Sequence, residues 1–148
     1  LWVGTESRGV TRIEGDRATS FTLAQGLPSE VTYALLEDGG GAVWVGTGQG
    51  VARIEGERVQ AFGTEAGLPR GAVFSLALAP DGGLYAGTEE GLYVGQGGRF
   101  APAHPDVPAV AIASLEVDEQ GTLWIGTVDR GLMRLGTRGL ERYGVSDG

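Results

Sequence analysis

Apolar residues fall along this chain in short runs that are cut off before they can become long elements. Val31 to Glu37, Val73 to Ala79 and Val110 to Val117 are such runs. Each stops at a polar, glycine-rich break: Asp38-Gly39-Gly40-Gly41, Asp81-Gly82-Gly83 and Asp118-Glu119-Gln120-Gly121. Aspartate and glycine in that setting are the chemistry of tight hairpins. A second run follows every break, then a glycine, then a third run, then a fourth that ends on an aromatic. In the second unit these are Val43 to Thr47, Gly50 to Ile54 and Arg58 to Phe62. The pattern predicts four short antiparallel strands per unit.

The unit recurs. Leu1-Trp2-Val3-Gly4-Thr5 returns as Val43-Trp44-Val45-Gly46-Thr47, Leu84-Tyr85-Ala86-Gly87-Thr88 and Leu123-Trp124-Ile125-Gly126-Thr127, at spacings of 42, 41 and 39 residues. A second glycine follows at Gly9, Gly50, Gly91 and Gly131, and an aromatic closes each unit at Phe21, Phe62, Phe100 and Tyr143. Gly26-Leu27-Pro28 and Gly67-Leu68-Pro69 connect the first units; the third reads Pro102-Ala103-His104-Pro105-Asp106-Val107-Pro108 instead. Four strands in about 40 residues is the arithmetic of a β-propeller blade. The fold class is therefore all-β, in units of about 1–30, 31–72, 73–109 and 110–148. The first unit lacks its innermost strand. The expectation is a segment of a larger ring. Two copies joined head to tail into a ring of about eight blades, or a compact four-bladed ring, are the alternatives.

Composition sharpens this. Glycine fills 28 of 148 positions, which no long helix tolerates, since each costs about 1 kcal/mol relative to alanine. Acidic residues number 19 against 11 basic, for a net charge of −8. That balance opposes nucleic acid and anionic lipid, whose recognition needs clustered positive charge. Every basic residue is arginine, and no cysteine is present for disulfides or thiolate metal sites. No apolar run approaches the roughly 18 residues of a membrane span.

The residues L-W-V-G-T, then G-V-x-R-I-E-G, then the aromatic, G-L-P and L-x-D-x-x-G resemble the two-component regulator propeller repeat. The resemblance covers the whole chain. It implies an extracytoplasmic, periplasmic or extracellular sensing module, upstream of a membrane span and histidine kinase, responding to carbohydrate or another environmental ligand. It implies no cofactor and no catalysis of the segment's own.

Repeated residues read first as scaffold. Trp2, Trp44, Trp124 and Tyr85 should pack between blades, beside glycines that admit close backbone approach; the alternative is a platform for sugar rings. Asp38, Asp81 and Asp118 should fix their turns rather than hold calcium, which wants 6–8 oxygens. Arg12, Arg53 and Arg134 should bond carboxylates or carbonyls of a neighbouring blade; Val94 stands there in the third unit. The residues that vary lie in the turns after strand two and in the crossovers. They make Glu6, Arg8, Glu30, Gln49, Arg70, Glu89, Glu90, Asp129 and Arg130 the candidate ligand-binding residues, for a polar ligand such as an oligosaccharide or peptide. Catalysis has little support: His104 is the sole histidine, and no Gly-x-Ser-x-Gly elbow accompanies it. A protein-interaction scaffold is the other reading, because exposed strand edges recruit partners.

Overall fold

The computed structural model describes residues 1–144. It is all-β, with fifteen strands in four antiparallel sheets, each running in chain order. The first sheet has β1 (Trp2–Gly4), β2 (Val10–Glu14) and β3 (Arg17–Phe21). The second has β4 (Thr32–Glu37), β5 (Val43–Thr47), β6 (Gly50–Glu55) and β7 (Arg58–Phe62). The third has β8 (Val73–Leu78), β9 (Leu84–Thr88), β10 (Gly91–Gln96) and β11 (Arg99–Pro102). The fourth has β12 (Ile112–Val117), β13 (Leu123–Thr127), β14 (Leu132–Gly136) and β15 (Gly139–Tyr143). Two compact units result, Leu1–Val73 and the chain from Phe74 onward.

Within the first unit, two sheets share one core. Val10 and Phe21 from the first sheet and Leu27 from the crossover pack with Val43, Val45, Ala52 and Ile54 from the second, and Trp2 packs against them. The register explains the division of faces. Val43 opposes Ile54 and Val45 opposes Ala52, whereas Trp44 opposes Arg53, so small apolar residues take one face and the tryptophan the other. The second unit repeats the scheme. Leu123, Ile125 and Met133 form its core with Leu92 and Ile112, and Tyr85 of the third sheet packs on it. Trp2 and Tyr85 thus pack between sheets, as their repetition predicts.

The tryptophans do more than fill space. Asp38 Oδ1 accepts the Gly40 and Ala42 amides, fixing its turn, while Oδ2 accepts the Trp44 indole N–H at 3.2 Å. Asp118 repeats this with Gln120, Thr122 and Trp124, the last at 3.0 Å. Each tryptophan then lies beside its unit's closing aromatic: Trp2 with Phe21, Trp44 with Phe62 and Trp124 with Tyr143, centroids 5.6, 5.6 and 6.1 Å apart. An arginine covers each ring, with Arg12, Arg53 and Arg134 at 5.7, 5.7 and 5.5 Å from the centroid. A column of indole and guanidinium therefore stands on one face of three sheets, and in the second and fourth the turn carboxylate extends it.

One expectation needs correction. Arg12 does reach its neighbour, donating to Gly56 O at 2.7 Å. Arg53 and Arg134 instead pair inside their own sheets, with Glu55 and Asp38 and with Glu141. The carboxylates that meet them lie on the same strand, on the adjacent strand or in the turn of the same sheet. The glycine two residues after each ring admits a close backbone approach at Gly46, where a Cβ would lie 2.7 Å from Val73 O, and makes room for side chains elsewhere. A Cβ at Gly126 would collide with Ser114 on the paired strand, and one at Gly87 with Ser75 and Ile112. Leu27 and Leu68 of the Gly-Leu-Pro crossovers plug a gap, as expected of the leucine in that motif, each 3% exposed. Two further features escape sequence reading. The crossovers begin as single 3-10 turns, Leu23–Gln25 and Thr64–Ala66. Strands β4 and β12 each start with a register shift, at Tyr33 and Ala113.

Burial pulls the Asp38 carboxyl up, but the Gly40 and Ala42 amides, the Trp44 indole and the Arg53 charge outweigh it and hold it below the usual carboxylate range. The Trp124 indole, with the Thr122 and Gln120 amides, holds Asp118 low too. A carboxyl depressed on folding stabilises the native state above its unfolded pKa of about 3.9, and that stabilisation is lost as pH falls through the folded value. Melting temperatures followed by tryptophan fluorescence should therefore fall below about pH 4, and an Asp38→Asn/Asp118→Asn variant should show a flatter profile there. Asp38→Ala leaves three donors unanswered and should cost about 1–3 kcal/mol in urea unfolding.

Candidate functional site

The turns after strand two are built by threonine and glycine. Thr47 Oγ1 accepts the Gln49 amide at 3.1 Å and donates to Gly50 O at 3.0 Å. Gly50 has φ +96°, a conformation that closes the turn and that other residues rarely adopt. Thr88 clamps Glu90 and Gly91 identically. Thr5 and Thr127 hold one residue more, bonding Arg8 and Gly9, and Arg130 and Gly131. Thr47 and Thr88 are 0% and 1% exposed, so the clamp is buried while the residues it presents are not. The threonine recurs in all four units, and its role is not legible in the sequence because a hydroxyl bond inside a turn leaves no hydrophobic pattern.

Backbone bonds then tie turns to crossovers. In the first unit Gly9 donates to Glu30 O at 2.9 Å, Thr32 to Thr5 O at 2.9 Å, Gly48 to Val31 O at 3.0 Å and Gly50 to Gly71 O at 3.1 Å. Glu6, Arg8, Glu30, Gln49 and Arg70 consequently share one rim at the same end of the strands. In the second unit Val128 donates to Ala111 O at 3.0 Å, and Gly91 lies against Pro108 and Ala109. Glu89 and Glu90, and Asp129 and Arg130, therefore flank that crossover on its two sides. All nine side chains are exposed except Glu30, which is half-buried.

Two of the nine meet in a concavity. Gln49 and Arg70 line a shallow depression of about 580 Å³ in the first unit, together with Pro28, Phe62, Glu65 and Pro69. Glu65 was missed by sequence reasoning, being hidden in the unrecognised 3-10 turn. Its Oε1 accepts the Gly63 amide at 2.7 Å, which orients the carboxylate. Among the described residues, Arg8 and Arg70 form no ion pair, whereas Arg130 lies 3.8 Å from Asp129. A free guanidinium, a primary amide and an anchored carboxylate offer several donors and acceptors to a polar ligand. His104 lies apart from this rim, its Nδ1 accepting the Asp106 amide at 3.2 Å. Among the described residues no three His, Asp or Glu side chains gather as a metal-binding group, and no helix is long and apolar enough to cross a membrane.

The sequence pattern of the two-component regulator propeller matches residues 26–49 and 106–129. Both stretches run from a crossover through strands one and two into the following turn. In these two stretches the chain is similar to the two-component regulator propeller. Its sheets are propeller blades. Among solved structures, the chain is similar to the extracellular domain of a hybrid two component system from B. thetaiotaomicron, with a TM-score of 0.77 and 24% identity over 97% of this chain and 20% of that one. It is equally similar in shape to a streptogramin B lyase, with a TM-score of 0.77 and 12% identity over 97% of this chain and 50% of that one. At such identities the likeness is one of fold. The propeller segment thus spans a fifth and a half of these neighbours. No curated protein matches it in sequence.

The threonine clamp gives a direct test. Thr47→Val keeps the volume but leaves the Gln49 amide unanswered in a buried site. It should lower stability by about 1–3 kcal/mol in urea unfolding and speed hydrogen exchange at Gln49.

Proposed function

We propose that this segment is a non-catalytic ligand-recognition module of the sensor type, acting outside the cytoplasm, with its turn-and-crossover rim as the binding surface. The observation that carries this reading is the family match. Both matched stretches end on rim residues, Gln49 and Asp129, so the repeat that defines the family also builds the rim. The neighbour with the higher identity bears the description of an extracellular domain of a two component system, which agrees with a sensing role. The lyase shares half that identity, and nothing on this rim resembles a general acid paired with a nucleophile.

Carbohydrate, or a ligand of similar polarity, fits the rim's chemistry. The depression presents the Arg70 guanidinium, the Gln49 amide and the Glu65 carboxylate over a floor containing Phe62 and two prolines, a mixture of polar groups with a little apolar surface. Recognition residues carried on loops above a rigid sheet are how such scaffolds acquire binding.

A glycan array probed with the wild-type segment and with single Arg8→Ala, Arg70→Ala and Arg130→Ala variants tests the reading. Binding to a defined glycan should weaken by about tenfold or more in Arg70→Ala. A genuine glycan ligand whose binding is unchanged in all three variants would remove the rim from consideration.

A further inference from the structure

The third blade breaks the column that the other three share. Trp2, Trp44 and Trp124 stand opposite Arg12, Arg53 and Arg134 on the next strand, whereas Tyr85 stands opposite Val94. In the first unit the Arg12 guanidinium performs two tasks. It lies over the Trp2 ring, and it bridges to Gly56 O in the β6–β7 hairpin of the following blade. Val94 has neither the charge nor the reach. The corresponding β14–β15 hairpin borders an open cleft of about 780 Å³ within the second unit. Asp81 and Tyr85 line one side of it, and Gln120, Thr137, Arg138 and Glu141 line the other.

One partner that a column arginine uses, the turn aspartate, is still in place, while Gln96 and Ala101 stand where Glu55 and Glu141 meet Arg53 and Arg134. Asp81 holds the position of Asp38, whose carboxylate lies 3.6 Å from the Arg53 guanidinium. Its oxygens take the Gly83 amide and the Gln96 side-chain amide, which leaves accepting capacity on both. Tyr85 supplies an aromatic surface, and burial, with the Asp81 charge, pushes its hydroxyl above the ordinary range, so the phenol stays neutral. Of the two arginines at the cleft, Arg134 is neutralised by Glu141 at 3.3 Å, and Arg138 is exposed. The net charge of −8 favours the approach of a cation.

We propose that this cleft binds a guanidinium group brought by a ligand, seated between Asp81, the Tyr85 ring and the β14–β15 hairpin in place of the arginine the third blade lacks. The source is a small guanidinium compound or an arginine side chain of a peptide; the chemistry recognised is the same. The volume lies in the range of about 300–1,000 Å³ typical of small-ligand sites. The site lies at the opposite end of the strands from the rim and stands whether or not the rim binds glycans.

Calorimetric titration of the whole segment with agmatine, and with an N-acetyl-Gly-Arg-Gly amide peptide, tests this. Saturable binding is expected for one or both, weakened by about tenfold or more when the guanidinium is replaced by an amine of the same length. Val94→Arg supplies the missing side chain internally and should abolish binding while melting no lower than wild type. Asp81→Asn keeps the turn acceptor and should weaken binding about tenfold, which carries the test should Val94→Arg fail to fold. Tighter peptide binding identifies a protein source, and equal binding a small compound. Absence of saturable binding, binding unaffected by either substitution, or selective binding of glucuronate through Arg138 would overturn the proposal.

Discussion

A four-stranded sheet with apolar residues on both faces cannot stand alone in water, and everything else in this chain follows from that. One face of each full sheet carries small branched residues, such as Val43, Val45 and Ile54, and the other carries the large ring of Trp44. The two faces are complementary, as Trp2 and Phe21 against Val43, Val45 and Ile54 show. A sequence that repeats such a sheet therefore prescribes its own stacking. The aspartate turn, the arginine and the closing aromatic then act on the indole, the most awkward group in the stack. Its N–H must be answered and its face covered, and Asp38 with Arg53 does both.

Most of the architecture was legible because its signals are local. Strand ends coincide with Asp-Gly breaks and with the second glycine, and the tryptophan's place between sheets follows from its recurrence. What stayed hidden depends on contacts across strands. The bond from Trp44 to Asp38 ties the second residue of a strand to the turn before it, and no periodicity reports it. The pairing of Arg53 with Glu55 and of Arg134 with Glu141 is a matter of side-chain reach that no periodicity reports. The rim was legible as a set of variable positions. Its depression was not, because Glu65 sits in a 3-10 turn that three residues cannot announce.

Repetition also makes departures informative. Three blades agree on tryptophan and arginine, so Tyr85 and Val94 are departures from a pattern the same chain supplies as its own control. The crossover after the third blade departs as well, with Pro102 to Pro108 replacing the capped 3-10 turn. Both changes fall in the same repeat. A blade relieved of part of its structural uniformity is the one with a cleft beside it.

The buried threonine clamp separates what holds each turn from what each turn displays. Thr47 and Gly50 set the backbone, and Gln49 between them joins the hold through its amide alone, not its side chain. The two-residue and three-residue versions show that the same clamp accepts insertion. Replacement at the displayed positions is therefore nearly free of folding cost. Specificity can drift from one descendant of this scaffold to another while its stability is inherited intact.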